Sequence, residues 1–416
     1  MSSNEWKEVK LDSIGERFAM GPFGSNIKSD NFVENGVPII RGGNLSTGRF
    51  NDKDFVYLTE EKADELKGSN AFVDDIVFTH RGTIGQVGII PKNKHQRYVI
   101  SQSQMKMTCN REVSVPLYIY YFFKSPIGQY KLLCNTSTTG VPAIARPLTS
   151  LKSIVINLPT LSEQKAIATT LSCLDDMIEL NNRTNQILEE IAQSIYKRWF
   201  VDFEFPNEEG EPYKSSGGEM VDSELGEIPK GWKIGKLDDI IEIHDSKRIP
   251  LSVRKREQML KIYPYYGASS LMDYVDDYIF DGLYILLGED GTVVDDNGYP
   301  ILQYVWGKFW VNNHAHVLKG INGFNEDSLY ILLKNTNVQS IITGAVQLKI
   351  NQANLKALRV IIPRKSPLEV FNQVLDPIFA EKRRLLDEIK KLESIRDTLL
   401  PKLMSGEIRV PVEEVV

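Results

Sequence analysis

Between Leu161 and Phe200 the chain runs for forty residues without a proline or a glycine, and its apolar positions recur at helical spacing. Ile167, Leu171, Leu174 and Ile178, then Leu188, Ala192, Ile195 and Trp199, alternate steps of three and four. That is the stripe of a helix that packs against another helix. Ser162, ahead of Glu163 and Gln164, is placed to cap its start. At 1.5 Å per residue the rod would be roughly 55–60 Å long, too long to bury such a stripe unaided. A second run, Pro367 to Leu403, offers the partner: Ile378, Leu385, Leu392 and Leu399 recur every seven residues, with Leu375, Ile389 and Leu403 interleaved. Glu381, Lys382, Arg383, Arg384, Asp387, Glu388, Lys390 and Lys391 fill the gaps and predict a solvated outer face. Asn181 and Asn185 fall on the first stripe, where a buried Asn fixes register. Alternatively, the seam drifts to Leu180 and Thr184.

The pattern is duplicated. A shift of 204 sets Leu188 on Leu392, Ile191 on Ile395, Ile195 on Leu399, Gly140 on Gly344, Leu151 on Leu355, Lys152 on Lys356 and Pro159 on Pro363. Near the front the shift is 226, and WKEVKLDSI from Trp6 matches WKIGKLDDI from Trp232 at six of nine places. The second copy is therefore shorter by about 22 residues within its globular part. The expected class is α+β (mixed α/β): two similar globular domains separated by two long antiparallel helices in a coiled coil, related as a pseudo-twofold repeat. Residues 1–160 form the first domain, 161–200 the central helix, 201–224 a linker, 225–365 the second domain, 366–405 the distal helix and 406–416 a tail.

Within the first domain, strands are expected at Val37–Arg41, Asp75–Thr79, Val87–Ile90, Met105–Thr108 and Ile154–Leu158, between Gly- and Asn-rich turns. VPLYIYYFFKSP (115–126) reads as a buried helix. In the second domain, strands are expected near Tyr284–Leu287 and Arg359–Ile362. The stretch VDFEFPNEEGEPYKSSGGEM (201–220), rich in Pro, Gly, Ser and Glu, reads as flexible.

Composition narrows the class. At 416 residues with 42% hydrophobic content, two or three domains with substantial cores are expected. No run approaches the 18 apolar residues of a membrane span, and the polar start is not a signal peptide. Three scattered cysteines, Cys109, Cys134 and Cys173, point to a reducing cytoplasmic setting. The net charge of −6 argues against a nucleic-acid partner at first sight. Nine acids and one lysine lie within 202–229, however, which leaves the rest of the chain near +2.

Catalytic motifs fail on inspection. GNLSTGRF (43–50) nears a phosphate-cradling loop, but Arg49 replaces the required Lys and Phe50 the metal-binding hydroxyl. HAH (314–316), with Asn312 and Asn313, has the look of metal ligands; alternation along one strand accounts for it better. Asp175 and Asp176 lie on the long helix, where solvation is the simpler reading. No catalytic residue and no metal site is assigned. A self-contained methyltransferase is disfavoured too, because no Asn-Pro-Pro-aromatic loop occurs.

LSEQKAIATTLSCLDDMIELNN, LEEIAQSIYKRWFVDFE and the closing LLPKLMSGEIRV resemble the conserved regions of the specificity (S) subunits of type I restriction–modification enzymes. GPFGSNIKSDNF, VPIIRGGNLS, HRGTIGQVGIIP and YPYYGASS are similar to blocks of their target-recognition domains. The likeness covers essentially the whole chain, with less family wording at SPLEVFNQVLDPIF. It implies a non-catalytic subunit whose two domains each read half of a split target in double-stranded DNA. The helix pair would set the spacer and dock two modification subunits, which carry S-adenosylmethionine and methylate adenine. Restriction or motor subunits would bring ATP, Mg and cleavage. The target adenine must leave the stack to be methylated, so a DNA-distorting role is expected as well.

Guanine is read by Arg or Lys and adenine by Asn or Gln, on loops that enter the major groove. On that chemistry the first domain offers Ser25, Asn26, Lys28, Arg41, Asn44, His80, Arg81, Gln102, Gln104 and Arg146. The second offers Lys247, Arg248, Arg254, Lys255, Tyr266, Ser269, Ser270, Asn312, Asn313 and Gln347. Some of these would touch phosphate only. The competing class is a coiled-coil scaffold with two ligand-binding domains and no DNA role.

Overall fold

The structure is a computed structural model; it describes residues 6–411 apart from 47, 93–94, 138–139 and 345–346. The chain divides into two compact units, 1–182 with 386–416, and 183–385. The long helices are therefore not separate bodies: each unit holds half of both.

The first unit is built on Lys7–Lys10 (β1), Gly15–Met20 (β2), Val37–Ile40 (β3), Ile76–Thr79 (β4), Val87–Ile89 (β5), Tyr98–Ile100 (β6), Gln104–Cys109 (β7) and Val155–Leu158 (β8). An antiparallel sheet runs β2-β7-β4-β5, with Met105 opposite both Met20 and Phe78. In a second sheet β3 pairs parallel with β6, Ile39 facing Val99, and short strands flank the pair. β1 closes against β8, Lys7 opposite Leu158. Strands β3, β4, β5 and β6 are buried throughout, which is why they read as continuous apolar runs without alternation. Helix Pro116–Lys124 starts on a proline, whose missing N–H is unneeded there. It buries Tyr118 through Phe123 in one block, the signature of a helix enclosed on all sides.

The second unit repeats the plan with Lys233–Lys236 (β9), Ile241–Ile243 (β10), Tyr263–Tyr266 (β11), Tyr284–Gly288 (β12), Leu302–Val305 (β13), Lys308–Val311 (β14), Ala315–Gly320 (β15) and Arg359–Ile362 (β16). Its sheet runs β10-β15-β12-β13 and β11 pairs parallel with β14, Tyr265 facing Trp310. β9 closes against β16. The correspondence extends to single hydrogen bonds. Ser101 N–H donates to Ile40 O at 3.0 Å, as Asn312 does to Tyr266 O at 3.1 Å. His80 N–H donates to Ser103 O at 2.9 Å, as Glu289 does to His314 O at 2.8 Å. The residues missing from the second copy fall largely between the two parallel-paired strands, where the first unit alone inserts a helix, Glu60–Glu65.

The first long helix spans Leu161–Tyr196 and continues as a wider turn through Lys197–Val201; the second spans Lys365–Ser405. In the first unit Leu174 and Ile178 pack on Leu386, Ile389 and Leu392. Ile167, Ala168 and Leu171 share a core with Leu400, Leu403 and Met404. In the second unit Phe371 lies 6.2 Å from Tyr196, 5.7 Å from Trp199 and 4.7 Å from Phe200. The start of one helix meets the end of the other, so the pairing is antiparallel.

Three expectations are corrected, and one pair of alternatives is decided. The first helix is capped by Thr160, whose Oγ1 accepts from Glu163 N–H at 3.3 Å, and not by Ser162. Lys382 is buried and ion-paired to Glu189, its ammonium lying over the rings of Phe379, Tyr304 and Tyr330. Residues 201–230 are an ordered strap: Phe203 and Phe205 are buried, Phe205 stacks between Tyr213 and Trp232, and Met220–Val221 pairs with Ile228–Pro229. Their aromatics outweigh the turn-forming composition around them. The seam runs through Asn181 and Asn185, both buried, while Leu180 is 63% exposed. Among the described residues no helix is long and apolar enough to cross a membrane.

Candidate nucleic-acid interface

In the first unit the loops that follow β2, β3, β4 and β6 meet at one end of the two sheets. Gly21 N–H donates to Gln104 O at 2.9 Å, and a Cβ at Gly21 would collide with Ser101 O, so only glycine lets these loops touch. His80 Nε2 sits 3.2 Å from Gln102 O, Ile144 N–H donates to His80 O at 2.8 Å, and Gly82 N–H donates to Pro142 O at 2.9 Å. This joined surface leaves Asn26, Lys28, Arg41, Arg81, Gln102 and Arg146 exposed. Arg41 is steadied by donating to Asp54 O at 3.0 Å, and Arg146 holds a left-handed backbone at φ 46°. The Ser25 side chain lies outside the described residues.

Three first-domain candidates do structural work instead. Asn44 is buried; its Oδ1 accepts from Arg41 N–H at 2.9 Å and its amide donates to Asn51 O and Lys53 O. Gln104 is buried and bonded to Ser101 and Thr79. His80 is buried, and burial pushes its imidazole below its usual value, with the Arg81 charge acting in the same direction. Turn formation and base reading call on the same residue types, so the sequence could not separate them.

The second unit sorts its candidates the same way. Lys247, Ser269, Ser270, Asn313 and Gln347 are exposed on loops at the corresponding end, and Arg254 and Lys255 on the turn Val253–Glu257. Arg248 and Asn312 are engaged within the fold instead, and Tyr266 is half-buried. Arg248 donates to Glu289 Oε2 and Ala315 O, both at 2.7 Å, tying its loop to the neighbouring ones. Tyr266 packs edge-on to Phe309 at 5.9 Å. Asn312 is buried, its Oδ1 accepting from His314 N–H at 2.9 Å.

Behind this surface sits a cluster of which the sequence singled out only His316. His316 Nδ1 is 2.6 Å from Asp245 Oδ2, and its Nε2 is 2.8 Å from Ile350 O. Glu289 stands close by, and the three could together present ligand atoms to a cation. Arg248 pairs with both carboxylates, however, and Lys349 with Glu289. Burial alone would raise the Asp245 carboxyl, but the His316 hydrogen bond and nearby charges hold it below its usual range. The cluster is balanced by protein cations and serves as a loop brace. His314 is not on the strand with His316: it lies in the preceding turn, 2.5 Å from Asp290. The phosphate-loop near-miss is also resolved, since Arg49 reaches Asp176 and Glu179 on the first long helix.

Comparison with known proteins bears on what such a surface serves. The family model described as the type I restriction modification DNA specificity domain matches residues 3–190 and 229–391. The specificity subunit of type I restriction enzyme MjaIX from Methanocaldococcus jannaschii is 28% identical over 439 residues, covering 98% of this chain and 94% of that protein. The HindI specificity subunit from Haemophilus influenzae is 22% identical, covering 97% and 100%. The crystal structure of a type-I restriction-modification S subunit from M. genitalium shares the fold, with a TM-score of 0.59 at 17% identity over 97% of both chains. With two matched segments lying one in each of two like-folded units, the chain belongs to the family of type I restriction–modification specificity subunits.

Proposed function

We propose that this chain is the DNA-reading, non-catalytic subunit of a type I restriction–modification complex, each unit reading one half of a bipartite site in double-stranded DNA. The observation that carries the reading is the repeated loop surface: two units with matching strand order and matching loop hydrogen bonds, each exposing Arg, Lys, Asn and Gln side chains. Repeated heads suit a target with two half-sites. The antiparallel helix pair acts as the spacer between them and as the docking surface for two modification subunits, which bring S-adenosylmethionine and methylate adenine. Restriction subunits add ATP-driven movement and cleavage, and the assembly works in the cytoplasm, where the DNA is.

Methylome sequencing of a strain expressing this chain with its modification subunits tests the reading. A single split adenine-methylation motif, absent without this chain, is the expected result. The alternative scaffold role predicts no motif and no salt-dependent DNA affinity.

A further inference from the structure

Phe23 is 85% exposed, the highest value among the large apolar side chains described as exposed. Single exposed apolar residues are ordinary on protein surfaces, so the setting must decide. The backbone beneath it is held: Gly21 is pressed on Ser101, Pro22 is buried, and Phe23 O accepts from Asn26 N–H at 2.8 Å. The Gln102 side chain lies directly against Gly24, so the loop after the sixth strand abuts this turn. The ring is thus presented by a fixed turn and not by a loose tip. Around it the same joined loops expose Asn26, Lys28, Arg41 and Gln102. An aromatic ring among cationic and amide side chains is the composition that stacks on nucleobases or enters a base step. The second unit keeps an apolar side chain at the matching position, for the shift that sets Trp6 on Trp232 sets Phe23 on Ile249, which is 48% exposed.

We propose that Phe23 stacks on a base at a distorted step of the duplex, within or beside the half-site read by the first unit. The proposal rests on the DNA-reading role above. The stacking face complements the polar readers: they select bases by their edges, while the ring rewards sequences whose step opens easily.

The test uses the full chain assembled with its modification subunits and a duplex carrying the site defined by the methylome, with 2-aminopurine placed in turn along the half-site. Phe23→Ala is expected to weaken site binding roughly 5- to 100-fold and to return 2-aminopurine fluorescence at one step to its level in the free duplex. Phe23→Trp should keep both properties. The slope of log affinity against log salt should not change, because no cation is removed. The thermal transition should also be unmoved, since the side chain is exposed. Affinity and fluorescence of Phe23→Ala within twofold of wild type would overturn the proposal. So would intact DNA binding with lost assembly, which would make Phe23 a protein contact. Wild-type protein that does not prefer the site over an unrelated duplex would instead overturn the DNA-reading role, and the stacking proposal with it.

Discussion

Arg396 on the second long helix places Nη1 2.9 Å from Asp175 Oδ1 on the first, 221 residues earlier. The other oxygen of Asp175 accepts from Tyr121 Oη at 2.6 Å, so one half-buried carboxylate joins both rods to the buried helix of the first unit. Asp175→Ala would leave the Tyr121 hydroxyl without its acceptor and Arg396 with only the Asp397 carboxylate, and a loss of about 1–3 kcal/mol is expected. Urea unfolding of the variant checks this, and a loss below about 0.5 kcal/mol would assign the contact to the surface class of ion pairs.

Lys106 and Asp75 form a deeper pair, with side chains 1% and 2% exposed. Asp75 also accepts from Phe72 N–H and from the Thr108 hydroxyl. Asp75→Ala leaves an uncompensated cation in the core and should cost about 3–5 kcal/mol. In the second unit the matching register holds Val317 opposite Leu286, where Lys106 faces Val77. The double change Asp75→Leu with Lys106→Met should therefore recover most of the loss, as a double-mutant unfolding cycle would reveal.

The buried His80 ring gives a pH signature. Its folded value lies below the ordinary 6.5, so below about pH 6.5 the unfolded chain takes up more protons than the folded one. Stability contributed by the neutral ring is complete above that pH and is lost as pH falls. Wild type should lose more stability than His80→Gln between pH 7.5 and 5. Equal losses would show that the ring does not titrate out of step with the unfolded chain.

Thiol chemistry should divide the cysteines. Burial pushes the Cys109 thiol up to about 12, whereas Cys134 and Cys173 are exposed. A thiolate-trapping reagent at pH 8 should modify two of the three cysteines in the native protein and all three after denaturation. Rapid native labelling of Cys109, located by peptide mapping, would contradict its enclosure.

Inserting one heptad at matching levels of both long helices preserves the seam. The methylated motif should gain spacer length and keep its half-sites. An unchanged spacer in the methylome of such a strain would count against the ruler role.

The helices and the duplication were legible because heptads and shifted matches are written directly in residue order. The strands Val37–Ile40, Ile76–Thr79 and Arg359–Ile362 were legible as apolar runs between turn residues. Lys382 was not, because a cation's burial depends on Glu189, 193 positions away. The strap was misread for a different reason: Phe203 and Phe205 were visible in it, but their partner Trp232 lies beyond its end. Among the DNA-contact candidates, Asn44, Gln104 and Arg248 have the right chemistry but spend it on neighbouring backbone and side chains.

Glu163, at the start of the first long helix, is gripped by Arg409 and by Trp6 Nε1 at 3.2 Å, and Arg409 lies over the Trp6 ring at 5.5 Å. The first unit is thus sealed by residues that follow the second unit in the chain, while the second is a continuous insert complete by Leu385. Vectorial synthesis would finish the later-encoded module before the earlier one. A nonsense or frameshift lesion between codons 386 and 409 would accordingly disarm the amino-terminal module and spare the other.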